Sequence, residues 1–267
     1  MKHTIKYLAG SAVSLLLAGS NLSAVTYDTA GALYTEDFDG GLPTGATNVA
    51  WTDDSSFSGW SAFLTGTGAA PDEYRITSSG NSSDANVFQW RDSASSSDGA
   101  LGSRPQTATG AIIFGLELVN ETGGSLTEFT LGYTGEQWFE SSTLQNNQFI
   151  VSYQIGTISD LSSGSWTTID ALTFDSPHES GGDTNLDGSD PANQVVLAPV
   201  TVSGITWETG TELWIRWYDA NSSGIDQGIA IDDVSFTAVP EPASIGLFIA
   251  LGGFMIAAGR RNYRKRS

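Results

Sequence analysis

The chain has 267 residues, of which 30 are acidic and 11 are basic, so its formal net charge is −19 at pH 7. It contains no cysteine, which excludes disulfides, thiol nucleophiles and thiolate metal sites. Between residues 25 and 239 only four arginines stand against 29 acidic residues, a formal charge of −25. Nucleic acid and anionic membrane surfaces repel such a domain, so we expect neither as its partner. Cations are its natural counterparts, and the alternative is that the charge only keeps the surface soluble and well hydrated.

The first predicted element is a secretory signal peptide. Lys2 and Lys6 precede an apolar run over residues 8–18, and a region of small residues ends at Ala24. A basic start, an apolar centre and a small-residue end are the three parts of an export signal. We therefore predict that residues 1–24 are removed after Ala24 and that residues 25–238 form the exported domain.

Strands dominate the pattern of this domain. Apolar residues occupy every second position over residues 112–118, 129–133, 149–155 and 213–217, and clusters of Gly, Ser, Asn and Asp separate these segments. A period of two is typical of half-buried strands, whereas no helical stripe is found between the signal and the tail. The sequence predicts an all-β, jelly-roll-like two-sheet β-sandwich.

The last predicted strand changes phase along its length. Ile229 and Ile231 fit one face, whereas Val234 and Phe236 fit the other. One extra residue in a strand moves every later side chain to the opposite face. We therefore predict a β-bulge at residues 232–233.

Acidic motifs stand at both ends of the domain, EDFDGG over residues 36–41 and IDDV over residues 231–234. The first and last strands of a jelly roll often lie side by side, so these carboxylates can meet and require a cation, for which calcium is suited. The alternative is that they are acidic turn residues at strand ends. The motifs resemble the opening and closing segments of jelly-roll carbohydrate-binding modules. That resemblance implies a structural calcium held by Asp39 and one of Asp232 or Asp233.

A second acidic motif has the spacing of a calcium-loop start. Asp183, Asn185 and Asp187 alternate and a glycine follows, which places oxygen ligands and a turn in the required order. The ninth position is Pro191, and the twelfth is Gln194 where a bidentate Glu is required. An EF-hand is therefore excluded, which leaves a weaker calcium loop or a flexible acidic loop.

Exposed aromatic rings are the candidate glycan contacts. Indole and phenol faces stack on sugar rings, while Asp, Asn and Arg hydrogen-bond the hydroxyls. The candidates for stacking are Trp90, Trp138, Trp214 and Tyr218, and the alternative for each is a place in the core.

Signs of catalysis are few. His178 is the single histidine between residues 25 and 239, and no Gly-x-Ser-x-Gly elbow accompanies it. Glu136 and Glu140 flank Trp138, but residues four apart on a strand lie ~13 Å apart, beyond the spacing of a glycosidase pair. We predict no catalytic residue. The alternatives are a secreted glycoside hydrolase or other polysaccharide-active enzyme, and a calcium-dependent matrix scaffold without sugar specificity.

The final predicted element follows a Pro-Glu-Pro motif. Seventeen uncharged residues, 243–259, give a helix of about 25 Å, which is within the range of membrane-spanning helices. A basic end over residues 260–267 follows and is expected to stay on the cytoplasmic side. The motif consists of Pro240, Glu241 and Pro242, and the basic residues are Arg260, Arg261, Arg264, Lys265 and Arg266.

This order of motif, span and basic end over residues 239–267 resembles the PEP-CTERM sorting tail of Gram-negative bacteria that make exopolysaccharide. The resemblance implies that an exosortase-type protease recognises the motif and cuts near it. An inner-membrane-anchored precursor would then become a protein of the cell surface or extracellular matrix. It would be a non-enzymatic structural, adhesive or glycan-associating component of exopolysaccharide or biofilm. The alternative is a permanent single-span anchor with a Pro-rich linker.

Overall fold

The computed structural model describes residues 24–40, 45–80, 86–93 and 97–240. The predicted signal peptide up to residue 23, Glu241, Pro242, the predicted span and the basic end lie outside these residues. In the described part of the chain, no helix is long and apolar enough to cross a membrane.

The described residues form sixteen strands, which range from two residues to fifteen. The strands of the first half are β1 (Val25–Tyr27), β2 (Tyr34–Glu36), β3 (Thr47–Ala50), β4 (Trp60–Leu64), β5 (Glu73–Thr77), β6 (Val87–Trp90), β7 (Ala100–Ser103) and β8 (Ile112–Asn120). Those of the second half are β9 (Leu126–Glu140), β10 (Gln148–Ile155), β11 (Thr167–Thr168), β12 (Phe174–Asp175), β13 (Thr184–Asn185), β14 (Gln194–Trp207), β15 (Glu212–Asp219) and β16 (Gly228–Val239). A short 3-10 turn, Asp170–Leu172, lies between β11 and β12.

The strands form two sheets. The first sheet has the order β1-β8-β15-β10-β11, with β4 also paired to β8 and β12 also paired to β10. The second sheet has the order β13-β9-β16-β7-β6-β5-β3, with β14 also paired to β9 and β2 also paired to β16. The pairs β1–β8 and β5–β6 are parallel, and the others are antiparallel. This arrangement confirms the predicted all-β, jelly-roll-like sandwich.

The core lies between the two sheets and follows the predicted alternation. Along β15, Leu213, Ile215 and Trp217 are fully buried, while Trp214 and Tyr218 on the opposite face are half-buried. Burying a large apolar side chain stabilises a fold by about 1.5–3 kcal/mol, so the aromatic residues supply much of the stability of a domain without disulfides.

The two ends of the domain meet in the second sheet. β2 pairs with β16 so that Glu36 lies opposite Val234. The register of β16 against β9 shifts between Asp232 and Ser235, and Asp233 has a left-handed φ of 49°. These observations confirm the predicted bulge and bring the two acidic motifs to neighbouring strands.

Candidate functional site

Trp90 and Trp138 lie in a second apolar cluster on the outer face of the second sheet, where Trp90 is 0% and Trp138 2% exposed. The Trp90 ring stacks on Phe88 with a centroid separation of 4.4 Å and on Trp138 with one of 6.3 Å. The Trp138 indole N–H donates to Glu136 Oε2 over 2.8 Å. Neither indole has a face open to a sugar, so the prediction that they stack on glycan is wrong.

Trp214 and Tyr218 lie on the outer face of the first sheet. Both are half-buried, and Arg216 stands between them on the same face of β15. Trp214 lies opposite Glu117 on β8 and opposite Gln154 on β10. These two of the four predicted aromatic residues therefore keep access to solvent.

An open groove of about 540 Å³ runs beside Trp214, and we call it the outer groove. The outer groove is lined by Asp53, Asp54, Ser61, Ala62, Phe63, Gly68, Glu117, residues 157–161, Glu212 and Trp214. Tyr218 is not among its lining residues. The groove thus combines one indole and one phenyl ring with several carboxylates.

One wall of the outer groove is a loop folded over β8. Leu161 packs on Gly115, where a Cβ atom would come within 2.2 Å of the Leu161 side chain. Only glycine therefore permits this approach at the centre of β8. The Asp160 carboxylate accepts hydrogen bonds from Ser162 N and Oγ over 2.8 and 2.6 Å, which fixes the loop.

The opposite wall is the segment before β4. Asp53 Oδ1 accepts hydrogen bonds from the Trp51 indole N–H over 2.6 Å and from Ala62 N over 3.0 Å. Asp54 has a left-handed φ of 60° and is 8% exposed. Among the described residues, its buried Oδ1 finds no hydrogen-bond partner. The segment therefore holds one satisfied and one unsatisfied carboxylate beside the groove.

Glu117 has the most perturbed carboxyl of the groove. Burial, together with the smaller effects of the charges of Asp54 and Glu212, raises its pKa from 4.5 to about 7. Glu117 binds its proton more tightly in the folded chain than in the unfolded chain. Its contribution to the free energy of unfolding is therefore lost as the pH rises from 4.5 to about 7. Across this range the groove gains negative charge.

Arg216 is the cation nearest to Trp214 along β15, but it is engaged elsewhere. Its guanidinium lies over the Trp166 ring at 4.1 Å and donates from Nη1 to the Leu161 carbonyl over 2.6 Å. Nε donates to Ser152 Oγ over 3.0 Å. Arg216 thus stabilises the groove loop, residues 157–161, through its hydrogen bond to the Leu161 carbonyl.

The predicted end-to-end carboxylates belong to a larger group, which we call the acidic cluster. It consists of Asp39, Asp98, Glu136, Asp187, Asp232 and Asp233. Burial, together with the smaller effects of the charges of Glu136, Asp233 and Asp98, raises the pKa of Asp232 to about 9. Burial also raises the pKa of Glu136 to about 7. Asp39 Oδ1 accepts a hydrogen bond from Gly99 N over 2.8 Å.

The carboxylates of the acidic cluster affect one another through their charges, but they do not converge on one point. Within the described ranges, no group of three His, Cys, Asp or Glu side chains is arranged to hold a metal ion. The groups that shift the pKa of Asp39, Asp98, Glu136 and Asp232 by charge are all carboxylates. Their chemistry is that of calcium ligands, and a bound calcium would have to draw them closer together.

The weaker predicted calcium loop is partly extended. Asp183 has a left-handed φ of 46°, and Asn185 belongs to β13, which pairs with the end of β9. Asp187 Oδ1 accepts hydrogen bonds from Ser189 N and Oγ over 3.1 and 2.7 Å. Of the three residues, Asp187 is the one whose charge raises the pKa of Asp98 and of Glu136.

Glu136 and Glu140 are both buried on β9 and separately engaged. Glu140 Oε1 accepts hydrogen bonds from Ser180 N and Oγ over 2.7 and 2.6 Å, and these bonds lower its pKa. His178 Nε2 lies 2.8 Å from Asn193 Oδ1 and 3.1 Å from the Ala192 carbonyl oxygen.

Sequence reasoning found Trp214 but missed Phe63 and Glu117. Phe63 lies in a strand of five residues, too short for a clear alternation. Glu117 carried a signal, since it is the single charged residue in the apolar strand β8. Its closeness to Asp54 and Glu212 depends on tertiary contacts that the sequence pattern does not show.

No protein-family model and no curated protein matches the chain. Among solved structures, it is similar to the K3 adhesin domain of Lys-gingipain from Porphyromonas gingivalis W83, with 15% identity, coverage of 76% of this chain and 97% of that chain, and a TM-score of 0.36. The xylan-binding domain from CBM 22 matches with 14% identity, 80% and 98% coverage and a TM-score of 0.35. The non-crystalline cellulose-specific module CBM28 has the same identity and coverage and a TM-score of 0.33. Such identities and TM-scores carry no inference about what this chain binds.

Proposed function

We propose that the chain is an exported, non-enzymatic protein whose β-sandwich associates with glycan through the outer groove. The observation that carries this proposal is Trp214, a half-buried indole beside an open groove whose walls bear carboxylates. An indole face stacks on a sugar ring, and carboxylate oxygens accept hydrogen bonds from its hydroxyls. A concave, partly apolar site with a few polar groups is the usual form of a ligand site.

Replacing Trp214 with Ala is expected to reduce glycan retention at least tenfold, because the stacking surface is lost. The measurement is retardation of the protein in native gels that contain the exopolysaccharide of the source bacterium. Leu144→Ala is the control, since Leu144 is an exposed apolar side chain that lies outside the groove lining. Unchanged retention of the Trp214→Ala variant would contradict the proposal.

Glycoside hydrolysis is the second candidate function. The observation in its favour is Glu117, whose pKa of about 7 in a groove with other carboxylates suits a general acid. The two functions differ in their product. A binding protein releases no oligosaccharide from the retained polysaccharide, whereas an enzyme releases oligosaccharide, and Glu117→Gln abolishes the release.

We further propose that the chain is sorted through its Pro-Glu-Pro tail. The order of motif, apolar stretch and basic residues supports this proposal, as does the position of the motif at the end of the domain. β16 ends at Val239, one residue beyond the boundary predicted at 238, and Pro240 follows it directly and is exposed. The first residue of the motif is therefore accessible to a protease.

Intact mass of the native protein tests the sorting proposal. We expect a species in the surface or medium fraction that lacks the first ~24 residues and the residues beyond the Pro-Glu-Pro motif. A protein that stays in the membrane fraction with its basic end intact would instead be a permanently anchored surface protein.

Calcium is proposed as the ligand of the acidic cluster. Its six carboxylates come from both ends of the domain, from β9 and from two loops, and act on one another through their charges. Burial raises the pKa of several of them. A divalent cation would balance charges that the fold otherwise holds together at a cost in free energy.

A further inference from the structure

The outer groove is strongly acidic. Its described lining residues include no Lys, Arg or His. They include five carboxylates, those of Asp53, Asp54, Glu117, Asp160 and Glu212. A site of this charge repels anionic ligands and attracts cationic ones.

Three of these carboxylates already accept hydrogen bonds from the protein. Asp53 and Asp160 each accept two, as described above. Glu212 Oε2 accepts one from the Trp214 indole N–H over 3.4 Å, which orients the ring. The remaining two carboxylates have no hydrogen bond of this kind to a described donor, and Asp54 Oδ1 is the buried, unsatisfied oxygen among the five.

Those two are Asp54 and Glu117. Asp54 is 8% exposed, and its Oδ1 accepts no hydrogen bond from the described residues. Glu117 is half-buried, and the charges of Asp54 and Glu212 act on it. A buried carboxylate without a partner is costly, so this position favours a ligand that brings both a donor and a positive charge.

Within the described ranges, no arginine is among the charges that act on Glu117. Arg216 is stacked on Trp166 and bonded to the Leu161 carbonyl. The contributions to the pKa of Glu117 come from burial and from two carboxylates, with no cation among them. Below about pH 7 a proton neutralises Glu117, and above that pH a cationic ligand would supply the balancing charge.

We propose that the outer groove selects saccharides that carry free amino groups, that is, glucosamine-type chains rather than neutral or acidic ones. The inference rests on the proposed glycan function and specifies its ligand. Trp214 stacks on the sugar ring, while an ammonium group donates to the carboxylates of Asp54 and Glu117. Acidic polysaccharides are excluded by repulsion, and neutral ones leave Asp54 without a charged partner.

The test compares a glucosamine tetramer with the fully N-acetylated tetramer. The two share the sugar backbone and differ at the nitrogen, which is a cationic amine in the first and a neutral, bulkier acetamide in the second. Binding to the full-length chain is measured by calorimetry at low salt and pH 7, close to the pKa of Glu117, in a detergent without a sugar headgroup. Low salt is used because salt screens such contacts. We expect the amine form to bind at least tenfold more tightly. Glu117→Gln should reduce this preference to about threefold or less, since a lost charge-assisted bond costs on the order of a factor of ten.

Glu179→Gln is the matched control, because it removes the same charge from an exposed side chain outside the groove. It should keep the full preference. Asp54→Asn gives a second test, provided that its melting temperature shows that it folds.

Equal binding of the two tetramers, with both lost in Trp214→Ala, would overturn the amine preference and leave the glycan function standing. If neither tetramer binds while native exopolysaccharide is still retained through Trp214, the amine preference is likewise overturned and the glycan function still stands. Binding of the amine form that survives both Trp214→Ala and Glu117→Gln would place the contact elsewhere and overturn the inference.

Discussion

Replacement of Trp138 with Ala is expected to lower the free energy of unfolding by about 3–5 kcal/mol, the usual cost of truncating a buried Trp. The indole is 2% exposed and stacks on Trp90. Its removal also leaves the buried Glu136 without the hydrogen bond that it accepts from the indole N–H. For a domain of this size we expect the melting temperature to fall by roughly 6–20 °C.

Two further variants separate packing from binding. Trp138→Phe keeps a ring in the stack but loses the hydrogen bond to Glu136, so its loss of stability should be smaller. Trp214→Ala removes a half-buried ring and should destabilise the fold less than Trp138→Ala while it reduces glycan retention more. A Trp138→Ala protein of unchanged stability that no longer retains glycan would show that this indole is exposed after all.

The different fates of Trp138 and Trp214 show what the alternation of residues can predict. Both face away from the space between the sheets, and for both the neighbours two positions away are polar or charged. The loop before β14, however, covers Trp138, since a Cβ on Gly188 would come within 2.3 Å of the indole. Alternation predicts which face of a strand a residue occupies, but not whether a distant loop lies over that face.

The bulge in β16 and the pairing of β2 with β16 were predictable because neither depends on a distant loop. The bulge was visible as a phase change within one strand, from Ile231 to Val234, and therefore depended on local sequence alone. The pairing of β2 with β16 followed from the expected topology. The outer groove required more, because its lining comes from segments between Asp53 and Trp214, and only the tertiary fold brings them together.

Calcium is expected to raise the melting temperature of the full-length chain by about 5–10 °C at a concentration a hundredfold above the dissociation constant, which corresponds to about 2.7 kcal/mol. Without a cation, the raised pKa of Asp232, about 9, and that of Glu136, about 7, mean that folding binds protons. Stability in the presence of a chelator should therefore fall as the pH rises from about 4 toward 9. Calcium replaces those protons, so its effect should be larger at pH 8 than at pH 5.

Asp232→Asn identifies the site. It removes a carboxylate whose ionisation burial opposes, so it should raise stability at pH 8 in the presence of a chelator and abolish the response to calcium. Glu179→Gln, which changes the same formal charge on an exposed side chain, should leave both the chelator curve and the calcium response unchanged. Magnesium should act weakly, because its octahedral shell requires shorter and more regular contacts than calcium. A melting temperature that is the same in calcium and in chelator at pH 8 would remove calcium from the acidic cluster, because a ligand of the folded state has to stabilise it.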